Sequence, residues 1–433
     1  MKASSACGHS FAYLFERYPS FVQTFCYREV EEMRRRGMNP LVVSIRRPHD
    51  SPDCAEISGG EVFYLPETAE IRRTARLPRR VRWTVPREKR EKDANRLFEA
   101  IWLAPRLRER GVRHVHAHFG GVAARTAWWL RKLFGFTYSF TGHANDIFCA
   151  TDFPVSNADL VRGARFVVTE TDHARRWMEE KYPAERGRIF RVCNGIALDG
   201  FLPRAPASEV PRILSVGRDV EKKGFGDLIE ACRLLRERGL SFVCEIVGGG
   251  PLEKKLQAQI DAVQLGGMVQ LLGPHPQAEV RRLLARAQIF VLACVVEADG
   301  GSDNLPTVIM EAMAAGVPVI STRVAGVPEM IADGEDGLVA PPNDPASLAA
   351  AMEKLLRDPL LADRLAAGAR QSAAEKFAIE RTTRELQHLL IRQAGIVPPE
   401  AARRLDSTLP APTFFTRVSS LLRGFHPSNC RHR

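Results

Sequence analysis

The stretch Arg212-Ile-Leu-Ser-Val216-Gly217-Arg218-Asp219-Val220-Glu221-Lys222-Lys223-Gly224-Phe225 runs from a short apolar segment through a glycine-bounded turn into a helical pattern. The helical pattern continues to about 238, and a second apolar run follows at 242–247. Alternation of short apolar, β-branched runs with amphipathic stretches is the pattern of a parallel sheet covered by helices. It continues downstream with strands expected at 269–272, 289–292 and 318–321 and helices at about 277–287 and 304–315. Upstream of a proline-bearing stretch at 202–211, strands are expected at 40–45, 61–65, 114–118, 138–141, 166–169 and 189–192. The chain is therefore read as α/β, with two doubly wound units in tandem. Its 433 residues agree, being too many for one ordinary core and suited to two domains of roughly 150–200 residues.

Composition bounds the remaining possibilities. With 45% hydrophobic and 26% charged residues, the chain has the makeup of a globular protein. No run approaches the ~20 apolar residues of a membrane-spanning helix, and the N-terminus carries no recognisable export signal. Cytoplasm is the expected compartment. The nine cysteines are dispersed, without a C-x-x-C pair, and read as reduced and mostly buried, with no metal site among them. A net charge of +11 favours an anionic partner. Much of it lies in 71–92, where ten Lys/Arg face two glutamates and interleave with apolar residues such as Trp83. That segment suits an anionic membrane surface, and equally a solvated loop; nucleic acid is not expected, since no recognition helix or stacking platform accompanies the charge. A proline-rich, basic tail at 395–433 reads as disordered.

In paired doubly wound sheets, ligands bind in the crevice at the carboxyl ends of the strands, so function is read from the loops there. In the opening stretch, Arg218 and Lys223 flank a turn that leads into a helix N-terminus, an arrangement that can cradle a diphosphate. Read alone, the same residues also make a surface turn. Gly248-Gly249-Gly250-Pro251-Leu252 follows the next strand and lets a nucleotide lie against the main chain at Gly249, but it lacks the last glycine of G-x-G-x-x-G and so gives no support to a nicotinamide cofactor. The most informative segment is Asp303-Asn304-Leu305-Pro306-Thr307-Val308-Ile309-Met310-Glu311, with two carboxylates eight residues apart. Asp303 in the loop and Glu311 about two turns into a helix can both face the cleft and accept sugar and ribose hydroxyls. Backbone N–H groups over 304–307 would meet phosphate.

The order and spacing of V-G-R-x-x-x-K-K-G-F, G-G-G-P-L and E-A-M-A-x-G-V-P-V-I, with Gly326-Val327-Pro328-Glu329 and Gly334 to Gly337 beyond, resemble glycosyltransferase family 4 over about 212–344. In the first half, Tyr18-Pro19-Ser20-Phe21-Val22-Gln23-Thr24-Phe25, Ser139-Phe140-Thr141-Gly142-His143-Ala144-Asn145-Asp146 and Asn194-Gly195-Ile196 resemble a bacterial exopolysaccharide branch of the colanic-acid type. The resemblance implies a GT-B fold of two facing Rossmann-like domains, an acceptor domain at 1–203 and a donor-binding domain at 204–374, with a helix at 375–394 crossing back to the first. It implies a retaining, metal-independent hexosyltransferase that needs no cofactor. The partners implied are a nucleotide-diphosphate sugar and a glycan or lipid-linked acceptor, in the cytoplasm or at the inner face of its membrane. By the same resemblance, His143 and Asp303 are catalytic. Arg218, Lys223, Gly249, Asn304, Leu305, Thr307 and Glu311 bind the donor, and Tyr18, Pro19 and Asp146 lie on the acceptor side. His143 alone reads as a structural loop histidine; its T-x-H-x-x-D context favours the reaction centre.

Three positions depart from the family's pattern: Asp303 replaces its usual glutamate, Ala197 its common aspartate, and the 18–25 loop a glycine-rich acceptor loop. A nucleotide-sugar epimerase and a binding protein without catalysis are the alternative readings.

Overall fold

The computed structural model describes residues 9–20, 23–48, 60–77, 86–149, 152–202, 204–205 and 208–398. One sheet contains β1 (Phe11–Arg17), β2 (Pro40–Arg46), β3 (Val62–Tyr64), β4 (His114–His118), β5 (Thr137–Gly142), β6 (Val167–Thr169) and β7 (Ile189–Arg191), in the order β3-β2-β1-β4-β5-β6-β7. A second contains β8 (Arg212–Val216), β9 (Val243–Val247), β10 (Val269–Gly273), β11 (Ile289–Leu292), β12 (Val319–Thr322) and β13 (Leu338–Ala340), in the order β10-β9-β8-β11-β12-β13. All neighbouring strands run parallel. In each sheet the order reverses beside the first strand, between β1 and β4 and between β8 and β11, which opens a crevice at the carboxyl ends.

The strand expectations hold to within a residue or two at their ends, with two additions. β1, an inner strand of its sheet, reads Phe-Ala-Tyr-Leu-Phe-Glu-Arg and contains no β-branched residue, so composition does not mark it. Burial on both faces holds it, with Ala12 and Leu14 in one core and Phe11, Tyr13 and Phe15 in the other. β13 is a three-residue edge strand. The helix expected from 304 begins at Thr307, because Pro306 ends the extended approach and has no N–H of its own.

The crossing helix is two helices, Pro359–Phe377 and Ile379–Ala394, broken at Ala378. There Ile196 N–H donates to the Phe377 carbonyl at 2.8 Å and Ile379 N–H to the Ile196 carbonyl at 2.9 Å, so the linker between domains is stitched to the returning chain. Helix Ile379–Ala394 then lies on the first sheet's side. Its Leu386 and Leu390 are buried with Phe11, Val30 and Met33, and Arg36 Nε donates to Gln387 Oε1 at 2.8 Å.

Six described cysteines are free, five of them buried. Among the described residues no helix is long and apolar enough to cross a membrane. The expectations for Phe21 and Val22, for 78–85 of the basic run and for 399–433 of the tail lie outside the described residues.

Because Leu390 is wholly buried in the first domain's core, Leu390→Ala is expected to lower stability by about 2–5 kcal/mol and to speed amide exchange in β1 and helix Thr24–Arg35. Urea unfolding with hydrogen-exchange mass spectrometry checks this; unchanged exchange in those segments would contradict the docking described.

Candidate active site

The loops at the carboxyl ends of both sheets meet. After β8 the chain turns through Lys222 and Lys223 to Gly224, whose φ of 64° suits glycine and whose added Cβ would lie 1.7 Å from the Ala293 carbonyl oxygen. The close approach presses this loop onto the end of β11, and both lysines reach Asp303: Lys222 at 3.3 Å and Lys223 in a shorter contact. Burial would raise the Asp303 carboxyl, but the two ammonium groups outweigh it and hold the group below its ordinary value. Lys223 is raised for the reciprocal reason, its burial being outweighed by Asp303. Two ammonium groups against one carboxylate leave net positive charge, and the exposed Arg218 adds to it, with no ion pair of its own among the described residues.

Across the cleft, β4 carries His114, His116 and His118 on one face. Parallel pairing with β5 sets Thr137, Ser139 and Thr141 beside them. His114 bonds Thr137 and Ser139, each at 2.9 Å, and His116 bonds Ser139 at 2.8 Å and Thr141 at 3.0 Å. Burial pushes the His114 imidazolium down to about 3 and that of His116 well below its ordinary value, so both are neutral. His118 ends the row and leads into a chain of polar contacts. Tyr13 Oη donates to Glu29 at 2.6 Å, Glu29 lies 3.1 Å from His118 Nε2, and His118 Nδ1 lies 3.3 Å from His143 Nε2. His143 Nδ1 meets Glu170 Oε1 at 2.7 Å. Burial disfavours the His143 cation, yet the Glu170 carboxylate outweighs burial and the group is raised. Glu29, His116 and His118 bring candidate metal-ligand atoms within 4.8 Å of one another, but the four ring nitrogens already have hydrogen-bond partners, and the group is read as this network.

Several contacts join the domains here. Glu170 also accepts from Asn194 Nδ2 and, at a long 3.5 Å, from Asn304 Nδ2. Thr171 Oγ1 donates to Asn304 Oδ1 at 2.7 Å. The Glu329 carboxylate accepts the N–H groups of Asp172 and His173 at 2.7 and 2.6 Å, capping helix Asp172–Lys181 from the opposite domain. Gly326 permits this approach, since a Cβ there would come within 2.4 Å of Thr171 Cγ2. Arg28 Nη2 donates to Glu311 Oε1 at 2.8 Å, both side chains buried.

The expected residues fall in four places. His143, Asp303, Asn304, Lys223 and Glu311 gather at the cleft, with Leu305 buried beside Asn304 and Thr307 opening the helix that carries Glu311. Gly249 stands opposite Pro274 at the end of β9. Asp146 braces the His143 loop, accepting the N–H groups of His143, at 2.6 Å, and Gly120; its burial pushes the carboxyl up to about 6. The Tyr18 ring is buried, stacked on Phe15 with centroids 4.6 Å apart, and Pro19 is buried beside it. Arg28, Glu29, His118 and Glu170 were not expected at the site. His118 lay in a legible strand, and the H-x-H-x-H alternation was the available signal; the others have none in local spacing.

The His143–Glu170 pair yields a test. Its stabilisation is complete below the ordinary imidazole pKa and is lost as pH rises through the raised folded value. Glu170→Gln removes the largest influence opposing burial and leaves only Asp146 and Glu29 against it, so an NMR titration of the His143 ring should give a midpoint above 6.5 in wild type and a lower one in the variant. Equal midpoints would contradict the assigned cause.

Comparison with known proteins agrees with this geometry. The family model described as "Glycosyl transferases group 1" matches residues 203–372. WcaL of Escherichia coli K12, named for colanic acid biosynthesis, is 38% identical over 214 residues, covering 48% of this chain and 52% of the relative. The amylovoran biosynthesis glycosyltransferase AmsK of Erwinia amylovora is 38% identical over 214 residues, covering 49% and 52%. The chain thus spans about half the length of the curated relatives it matches. Among solved structures, a glycosyltransferase of Rickettsia africae aligns with TM-score 0.69 at 18% identity, covering 89% of this chain and 98% of that one. Anabaena HepE, solved with UDP and glucose, aligns with TM-score 0.67 at 16% identity, covering 88% and 99%. Residues 203–372 thus match the glycosyl transferases group 1 family, in a chain of GT-B fold similar to bacterial exopolysaccharide glycosyltransferases.

Proposed function

We propose that the chain transfers a sugar from a nucleotide-diphosphate donor, held by the second domain, to a glycan or lipid-linked acceptor held by the first, in exopolysaccharide assembly. The observation that carries this reading is the meeting of Lys223–Asp303, Glu311 and His143–Glu170 at facing carboxyl ends of the two sheets. Arg218 and Lys223 offset the charge of the leaving diphosphate, work that elsewhere falls to a divalent cation. Glu311 receives the ribose and Asp303 the transferred sugar. Asp303 is one methylene shorter than the family's glutamate, and its lysine partners hold it at the cleft, where an arriving diphosphate competes for Lys223. His143 borders the reacting carbon, and the acceptor attacks from the face the diphosphate leaves, so configuration is retained. HepE, solved with UDP and with UDP-glucose, supports trying uridine donors first.

A thermal-shift screen of UDP-, GDP- and ADP-sugars in EDTA tests the donor site. One nucleotide family should stabilise wild type and fail with Arg218→Ala and with Glu311→Ala. No stabilisation by any of the three, or full stabilisation in both variants, would contradict the assignment. Proton NMR of a transfer product should show the donor's anomeric configuration; an inverted product would remove the retaining mechanism.

We further propose peripheral attachment through the basic segment. Within it Arg72 bonds Asn95, and Lys89, Arg87 and Lys92 bond Asp159, Glu91 and Glu88, while the side chains of Arg73 and Arg76 are exposed. Arg73→Glu/Arg76→Glu should reduce flotation with phosphatidylglycerol-containing liposomes several-fold, with no effect on neutral ones. Flotation indifferent to lipid charge would exclude it.

A further inference from the structure

Helix Thr24–Arg35 belongs to the first domain, yet Arg28 on it reaches the second domain's Glu311. The hydrogen bonds at this contact are unevenly distributed. Glu311 Oε1 accepts twice, from Arg28 Nη2 at 2.8 Å and Gln277 Nε2 at 3.2 Å, whereas Oε2 has no partner among the described residues. On the arginine, Nη1 is buried with no hydrogen-bond partner among the described residues, in a side chain that is about nine-tenths buried. A buried guanidinium nitrogen left unpaired costs the desolvation of a charged donor, so a native fold retains one where something else supplies the acceptor. A planar fork with one arm engaged presents the other beside it, in the same plane.

We propose that Arg28 is a donor-binding and positioning residue contributed by the domain opposite the donor. It keeps Glu311 Oε1 occupied, so that Oε2 is turned to the ribose hydroxyls, and it offers Nη1 to a neighbouring oxygen of the bound nucleotide. The inference rests on the reading of Glu311 as the ribose acceptor and extends it: the nucleotide site is complete only when the domains are closed on each other. Removing Arg28 leaves Glu311 one charge-assisted hydrogen bond short and free to turn, and it removes Nη1 as a donor. Binding that depends on the ribose should weaken most.

The test is calorimetric titration of UDP, GDP and ADP, and of the 2′-deoxy form of whichever binds, into wild type, Arg28→Met, Arg28→Lys, Glu311→Gln and the Arg28→Met/Glu311→Gln double variant. Arg28→Met should bind the nucleotide about tenfold or more weakly, the order of one hydrogen bond to a charged group, with Arg28→Lys between it and wild type. The penalty should shrink against the 2′-deoxynucleotide and in the Glu311→Gln background. A residue with a purely structural role would penalise both nucleotides equally, and that result would overturn the proposal even if the variant's fold is weakened. Unchanged or tighter binding by Arg28→Met also overturns it; tighter binding would make the pair a latch that competes with ribose. If Glu311→Gln loses the nucleotide while Arg28→Met keeps it, the donor site stands and only the role of Arg28 falls. If wild type binds none of the three, both fall.

Discussion

The cleft depends on one buried carboxylate. Glu170 sits at the end of β6 with little water to solvate it, and a carboxylate so placed must be surrounded by donors. Its donors come from different parts of the chain: His143 after β5, Asn194 after β7 and, more distantly, Asn304 from the second sheet's domain. Satisfying Glu170 therefore orients the imidazole, fixes the start of the interdomain linker and brings the Asp303–Glu311 segment to face both. Asn304 is shared with Thr171, and Glu329 caps the helix that begins one residue later, so the same short stretch of backbone is held from both domains.

Helix Thr24–Arg35 performs a related task from the other side. Adjacent residues on it serve two sites: Arg28 bonds Glu311, and Glu29 bonds His118 in the chain that ends at His143. The returning helix Ile379–Ala394 packs against it, tied by Arg36 to Gln387. The crossover thus has a use beyond covering apolar surface, because it braces the helix that links Glu311 to the histidine network.

How much of this was legible in the sequence follows from how local each feature is. Strands β8, β9 and β11 and the loops after them were readable because apolar runs, glycines and charges fall within a dozen residues of one another. Asp303 and Lys223 were each expected at the cleft, but their ion pair was not, since nothing in either segment specifies the other. Glu170, Arg28 and Glu29 each have a partner far along the chain, at separations of 134 for Glu170–Asn304, 283 for Arg28–Glu311 and 89 for Glu29–His118, and no local pattern encodes such pairings. Tyr18 is a further case: an aromatic residue at a strand's end suits a binding loop or a core, and its position in the sequence does not show that the ring is buried against Phe15. β1 was missed because its strand character comes from burial between β2 and β4, not from β-branched residues.

The central claim is that groups from the two domains form a single reaction centre around one donor. A crystal structure of the chain with an intact nucleotide-sugar tests it most directly. The account predicts the diphosphate between Arg218 and Lys223, the ribose on Glu311, and the sugar at Asp303 facing His143. A nucleotide-sugar bound wholly within one domain, with its sugar turned away from His143, would contradict it.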